Sequence, residues 1–344
     1  MTSAEALQLL VDAKGDDEKI TLATVEIAAP SQATGLQNLV REAIYAAAVP
    51  HWFDEKILAA LLNGTTPETA SQLYRILKDF SFVEDFPRYQ ACSIHERARS
   101  HLLAFLNRES PEKYQLYSSR CFEYFAAGTT PQELIEAAYH QLVAAPDVGA
   151  DTIGILYDQW SQSGAWETLQ AMAAPLDERL RSRRLEDLAL AAPLVVVASI
   201  RAPYQSLAKT QPLLDQALEI YRRLRDARQE SVVLDKLGVI QQARGDLEGA
   251  QRSYEASMEI RKKLSERDPE NTEWQRDLSV CYFNMSRVCR LLEKWSEARQ
   301  WAEADLAMAQ KLAERDPSNA QWRQDVESSR KVIADLDAES RSHG

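Results

Sequence analysis

The phrase ERDPENTEWQRDL begins at Glu266 and returns as ERDPSNAQWRQDV at Glu314, an offset of 48 residues. Seven of the thirteen paired positions are identical, including the two tryptophans, Trp274 and Trp322. A chain that repeats itself at such a period builds one supersecondary unit more than once. The copies stack, because a single helix pair cannot bury its own apolar face. The offset extends beyond the phrase. Leu237 pairs with Met285, Gly238 with Ser286, Leu247 with Trp295, Ala250 with Ala298, Ile260 with Met308 and Leu264 with Leu312. Apolar positions meet apolar positions at helical spacing.

Each unit reads as two helices. The first helices are expected over 230–244 and 272–292, the second over 247–266 and 296–314. Asp268-Pro269 and Asp316-Pro317 stop the second helices, because a residue preceding proline is pushed out of the α region. Asn271 and Asn319 follow as expected N-caps. Gly245, in ARGDLEGA, suits a left-handed helix end. Helices over 181–200 and 204–224 would form an earlier pair, and a helix over 320–338 would cap the stack with a polar outer face. Trp274 and Trp322 are expected to pack back across the proline corners rather than to hold a ligand.

The composition agrees with a helical chain. Gly numbers 11 and Pro 13, too few for long flexible linkers or an all-β design. The net charge of −12 argues against nucleic acid or an anionic membrane as the principal partner. None of the four cysteines forms a CxxC pair. Cys281 and Cys289 lie two helical turns apart, about 12 Å, too far for a disulfide. Buried thiols in a reducing cytoplasm are the expectation. Met1 to Lys14 lacks the basic and apolar stretches of a secretory leader. The apolar run Leu188–Ile200 is too short to cross a bilayer.

The segment LDKLGVIQQARGDLEGAQRSYEASMEI resembles a tetratricopeptide repeat. Leu234, Leu237 and Gly238 match its first-helix positions, and Ala250 and Tyr254 its second. In the next unit Ser286 stands for the glycine, Ala298 for Ala250 and Ala302 for the aromatic. The period exceeds the usual 34 residues, so the helices must be long. Acidic bacterial proteins with RDPxNxxWQRDL-type repeats look similar. The resemblance implies a groove lined by first-helix residues. By register Lys236, Val239 and Gln242 face it from one unit, and Asn284, Arg287 and Arg290 from the next. Arg287 and Arg290, one turn apart, would suit an acidic peptide.

Upstream, residues 51–64 read as an amphipathic helix. Thr66 to Phe80 reads as another, capped by Thr66 with Pro67 at its first position. Two strand-like runs, SFVED and RYQACSI, precede a helix from His95 to Leu106. IYAAAVPHWFDEKILAALL (Ile44–Leu62) and SIHERARSHLLAF (Ser93–Phe105) resemble the winged-helix region of signal-transducing NTPases with numerous domains, the class that includes plant NB-ARC proteins. YQLYSSRCFEYFAA (Tyr114–Ala127) is similar to the helical region that follows there. That resemblance implies a sensor arm, and no GxxxxGK[ST] loop accompanies it in the chain. KITLATVEIAA (Lys19–Ala29) is open to a strand or to a remnant of another domain.

The fold expected is mostly α. It comprises an unassigned segment 1–34, a winged-helix-like domain 35–108, a helical connector 109–180, and an α-solenoid of long tetratricopeptide-like hairpins over 181–344. HERAR at His95 fails as a zinc motif, because HExxH needs a second histidine where Arg99 stands. No catalytic residue, cofactor or metal site is expected. The favoured reading is a non-catalytic scaffold for a protein or peptide partner in the cytoplasm. The alternatives are an arm acting in trans with a separate NTPase, and a winged-helix DNA-binding regulator. The expected reading helix of the latter is electrically neutral, with Arg75 and Lys78 against Glu68 and Asp79.

Overall fold

The computed structural model describes residues 3–28, 37–181, 187–205 and 207–343. The fold is mostly α, and the chain divides into two compact units, residues 1–185 and 186–344. The segment read as a connector lies inside the first unit.

The first unit runs α1 (Ser3–Asp12), α2 (Asp17–Ala28), α3 (Gln37–Ala47), α4 (Glu55–Leu61), α5 (Pro67–Lys78), β1 (Val83–Phe86), β2 (Ala91–Ile94), α6 (Glu96–Glu109), α7 (Pro111–Ala126), α8 (Pro131–Ala144), α9 (Pro146–Gln162) and α10 (Trp166–Arg181). The strands form an antiparallel hairpin in which Val83 pairs with Ile94 and Phe86 with Ala91. Its core gathers Phe53, Leu58, Leu61, Leu73, Leu77, Leu102, Tyr117 and Phe125 with the alanine-rich face of α3.

Two sequence expectations are corrected here. The helix expected from His51 begins only at Glu55. Phe53 is taken by a backbone bridge to Cys92 with two 2.8 Å hydrogen bonds, and Asp54 then caps α4 by accepting from the Ile57 amide at 2.7 Å. The stretch from Lys19 is helix over its described residues, not strand. Asp16 caps its start, and Thr21 and Thr24 spend their hydroxyls on carbonyls four residues back, which offsets the β preference of these side chains. Ala29 lies outside the described residues. His95 opens α6 with an exposed side chain while its amide donates to the Phe82 carbonyl at 2.8 Å.

The second unit runs α11 (Asp187–Arg201), α12 (Leu207–Leu224), α13 (Ala227–Ala243), α14 (Leu247–Arg267), α15 (Thr272–Leu291), α16 (Trp295–Arg315) and α17 (Ala320–His343). Each helix packs on the one before it. Of the expected helix 181–200, residues 182–186 lie outside the described residues. The repeated phrase folds twice into one corner. Asn271 accepts from the Trp274 amide at 3.1 Å, and Asn319 from the Trp322 amide at 3.2 Å. Asp268 and Asp316 each donate their amide to the leucine carbonyl four residues back.

The tight turns repeat as well. Arg225, Gly245 and Glu293 adopt φ of 58°, 80° and 58°. The following amides, of Asp226, Asp246 and Lys294, reach back to the carbonyls of Tyr221, Gln241 and Cys289. This is the six-to-one bond of a Schellman end. Only Gly245 announced it in the sequence; the other two turns hold ordinary residues in a left-handed conformation.

A size exchange relates the two repeats of the second unit. A Cβ on Gly238 would sit 2.5 Å from the ring of Tyr254, which is fully buried. One repeat later Ser286 replaces the glycine and Ala302 replaces the tyrosine. The ring has gone, and the Ser286 hydroxyl donates to the Ala298 carbonyl at 2.8 Å. The second helices also carry a repeated polar bridge. Ser257 of α14 donates to the Ser231 carbonyl of α13 and lies 3.5 Å from the Cys281 thiol of α15. Its counterpart Asp305 accepts from Ser279 of α15 and, at 2.7 Å, from Ser329 of α17. Each bridge joins a second helix to both first helices beside it. Asp305 is buried, and that burial pushes its carboxyl above the ordinary range despite the two hydroxyl donors.

Gly238→Ala is expected to destabilise the protein by about 1–3 kcal/mol in urea unfolding, although alanine is the better helix former. A stabilised variant would show that the Tyr254 ring yields freely. Asp305→Asn is expected to add about 1 kcal/mol at neutral pH, because a neutral amide can accept from Ser279 and donate to Ser329, whose hydroxyl has the Asp325 carbonyl at 2.8 Å to turn to, without burying a charge. The folded carboxyl binds its proton more tightly than the unfolded one, so the Asp305 charge costs stability as pH rises above about 4. The gain should vanish in that acid range. An equal gain at both pH values would exclude the charge as its cause.

Candidate functional site

The six first-helix residues singled out in the sequence form three equivalent pairs, and the structure places them differently. Val239 of α13 and its counterpart Arg287 of α15 are both exposed, Val239 to 51%. Lys236 is half-buried, and its counterpart Asn284 is buried at 9%. Gln242 is half-buried, with its side-chain carbonyl 3.4 Å from the Tyr254 hydroxyl. Its counterpart Arg290 is held by the Glu339 carboxylate of α17 through two hydrogen bonds, one of 2.7 Å from Nε. The arginine pair is therefore split. Arg290 spends its planar fork on a carboxylate of its own chain, whereas Arg287 lies exposed with its guanidinium 5.7 Å from the Phe283 ring centroid. Val280, one repeat after Val232, is 40% exposed on the same helix.

The repeat-marking residues lie inside. Leu234, Leu237, Gly238, Ala250, Tyr254 and Ala298 are buried, and Trp274 and Trp322 are half-buried at the helix starts. A second ion pair of matching span, Arg276 with Asp325 at 3.1 Å, joins α15 to α17. α17 thus lies along α15 with pairs at both ends, and its outward residues Arg330, Lys331 and Asp335 are exposed.

The first unit holds a cluster that the sequence did not reveal. His51, in the turn before α4, meets Glu136 of α8 through Nδ1 and Glu178 of α10 through Nε2, the latter at 3.1 Å. Its amide also donates to Glu136 at 3.3 Å. Arg99 of α6 pairs with Glu178 and donates to the Pro50 and Val49 carbonyls at 3.3 and 3.0 Å. The Tyr139 hydroxyl donates to Glu178 at 3.0 Å. Arg179 stacks 4.0 Å over the Tyr139 ring and donates to the Tyr114 hydroxyl of α7. His140 lies one turn from Glu136, with Nε2 3.4 Å from its carboxylate.

The electrostatics follow from burial opposed by close charges. Burial works against the charge on His51, but the facing Glu136 outweighs it, and the ring keeps its proton above the ordinary histidine range. Burial would raise Glu136 and Glu178, yet His51 and, for Glu178, Arg99 hold both far below the usual carboxylate range. His140 is the exception: burial pushes it down to about 4, so it sits neutral beside the cation. With both ring nitrogens facing carboxylates, His51 acts as a cationic clasp across three elements.

The partners of His51 lie 85 and 127 residues away, so no local motif joins them. The one legible trace was Glu136 and His140 at helical i,i+4 spacing. All four cysteines are buried and unpaired. Among the described residues no helix is long and apolar enough to cross a membrane, and no group of metal-ligating side chains forms.

No protein-family model and no curated protein matches the chain. Among solved structures, BtubC (BKLC) from P. vanneervenii is 15% identical with a TM-score of 0.44, covering 64% of this chain and 85% of its own. A signal transduction ATPase with numerous domains (STAND) carrying a tetratricopeptide repeat sensor, from Pyrococcus horikoshii, is 10% identical with a TM-score of 0.42. The match covers 97% of this chain and 60% of that one.

His51→Gln is expected to lower stability by about 3 kcal/mol near pH 6, because it leaves the buried Glu136 and the half-buried Glu178 without the cation they share. The folded histidine holds its proton more tightly than the unfolded one, whose pKa is about 6.5. Its contribution is therefore complete below that pH and fades as pH rises through the folded value. The deficit should narrow in urea titrations as the pH is raised from 6 into the alkaline range. A deficit of constant size would assign the loss to ring packing instead.

Proposed function

We propose that this chain is a non-catalytic scaffold that takes a protein or peptide partner on the exposed face of its first helices. The carrying observation is the repeated exposure of Val239 and Arg287, equivalent positions on successive first helices. Around them Val280 and Phe283 offer apolar area, and Arg287 offers a cation that, among the described residues, forms no ion pair. Such a mixture suits a segment with an apolar anchor and one acidic group. The tetratricopeptide resemblance supports the same reading, as does the tying up of the carboxylates of the buried cluster by cations. A cytoplasmic setting fits the four unpaired thiols.

A second reading, a regulatory arm serving a separate NTPase, draws on the order of elements from α3 to α6. Helix, bridge strand at Phe53, two helices, hairpin and helix is the succession expected of a winged-helix-like module. DNA reading by α5 is less favoured. Lys78 is paired with Asp85 at 2.7 Å, and Arg75 donates to the Ser71 carbonyl of its own helix.

Affinity purification of the Val239→Asp/Arg287→Glu protein should lose the principal partner that the unaltered chain retains. A control with Arg252→Glu/Lys262→Glu, on a second helix, should keep it. Retention of every partner by the first variant would remove this face from consideration. A co-purifying ATPase retained by both proteins would favour the second reading.

A further inference from the structure

In the first unit, α9 presents a face that the described residues leave uncovered. Its inner side, Gly149, Ala150, Ile153, Leu156 and Trp160, is buried. A Cβ on Gly149 would lie 2.6 Å from the Leu142 amide nitrogen of α8. The two backbones therefore meet at van der Waals distance, and α9 cannot roll to hide its other side. On that other side Ile155 is 65% exposed and Val148 53% exposed, the former the most exposed large apolar side chain among the described residues. At about 100° per residue, Asp147, Asp158 and Asp151 fall within about 40° of arc, and Ile155 and Val148 occupy the next 60° or so. All three aspartates are exposed, and among the described residues none has an ion pair. The helix contains no Lys, Arg or His.

We propose that this face docks a basic amphipathic helix of a partner protein. Charge complementarity selects the occupant. A continuous acidic flank with no internal cation repels an acidic partner and a second copy of this acid-rich helix. It attracts Lys and Arg along one edge of an incoming helix. Val148 and Ile155 are seven residues apart, two turns or about 10.5 Å, which matches apolar anchors one heptad apart on the partner. This surface is separate from the first-helix face proposed above and stands or falls apart from it.

The test measures fluorescence anisotropy of a labelled three-heptad peptide with leucine anchors and a lysine-arginine flank, added to the full chain. A peptide of the same anchors with a glutamate flank serves as control. The basic peptide should bind and the acidic one should not, with binding weakened at high salt. Ile155→Ser should weaken it about 10-fold or more. Asp151→Lys/Asp158→Lys should abolish it, and Glu219→Lys/Glu255→Lys, an equal change of charge elsewhere, should leave it intact. Absence of binding to the unaltered chain, or equal loss in the Glu219/Glu255 variant, overturns the proposal. So does concentration-dependent self-association that Ile155→Ser removes without any peptide binding, which would give the face to a second copy.

Discussion

In the second unit every second helix must serve two first helices at once. That sharing fixes the rest. α14 lies against both α13 and α15, and α16 against both α15 and α17. The bridging residues Ser257 and Asp305 mark the same point in both layers. Apolar side chains alone would tolerate sliding between helices, because burial is non-directional. Hydrogen bonds from one side chain to both neighbours fix the register. The Asp235–Arg261 pair, 2.7 Å apart, adds to this in the first layer, with Arg261 also donating to the Asp277 carbonyl of α15 at 2.8 Å.

The same sharing explains why the repeat drifts in sequence without losing its geometry. Gly238 with Tyr254 and Ser286 with Ala302 fill one space with the volume placed on opposite helices. Close packing constrains the sum of the two side chains, not each alone. α17 takes the place of the next first helix after α15. Its inner side meets Asp305 through Ser329, and ion pairs hold both of its ends. One of those pairs removes Arg290 from the exposed face, leaving Val239 and Arg287 to define it.

The first unit is held by different physics. Its apolar core is crossed at one edge by cations and carboxylates drawn from the turn before α4 and from α6, α8 and α10. Breaking such a cluster is costly, since each charge depends on the others for compensation. Its value to the fold is specificity: Arg99 donates to the Val49 and Pro50 carbonyls and pairs with Glu178, so the helical layer can seat on the turn in one way.

The sequence by itself determined the helices of the second unit, their corners and the equivalence of the two repeats. Those features rest on local causes: proline after aspartate, asparagine caps and apolar spacing, all read within a few residues. By period it assigned six first-helix residues to one face, of which the structure exposes Val239 and Arg287, half-buries Lys236, Gln242 and Arg290, and buries Asn284. It misplaced the start of α4 and left α2 open, because the bridge between Phe53 and Cys92 and the seating of α2 on α6 depend on distant chain. Tertiary structure alone decided that Glu339 takes Arg290 and that His51 sits between Glu136 and Glu178. Charges many residues apart meet only when packing brings them together, and once there, burial and the facing charges together set which of them keeps its proton.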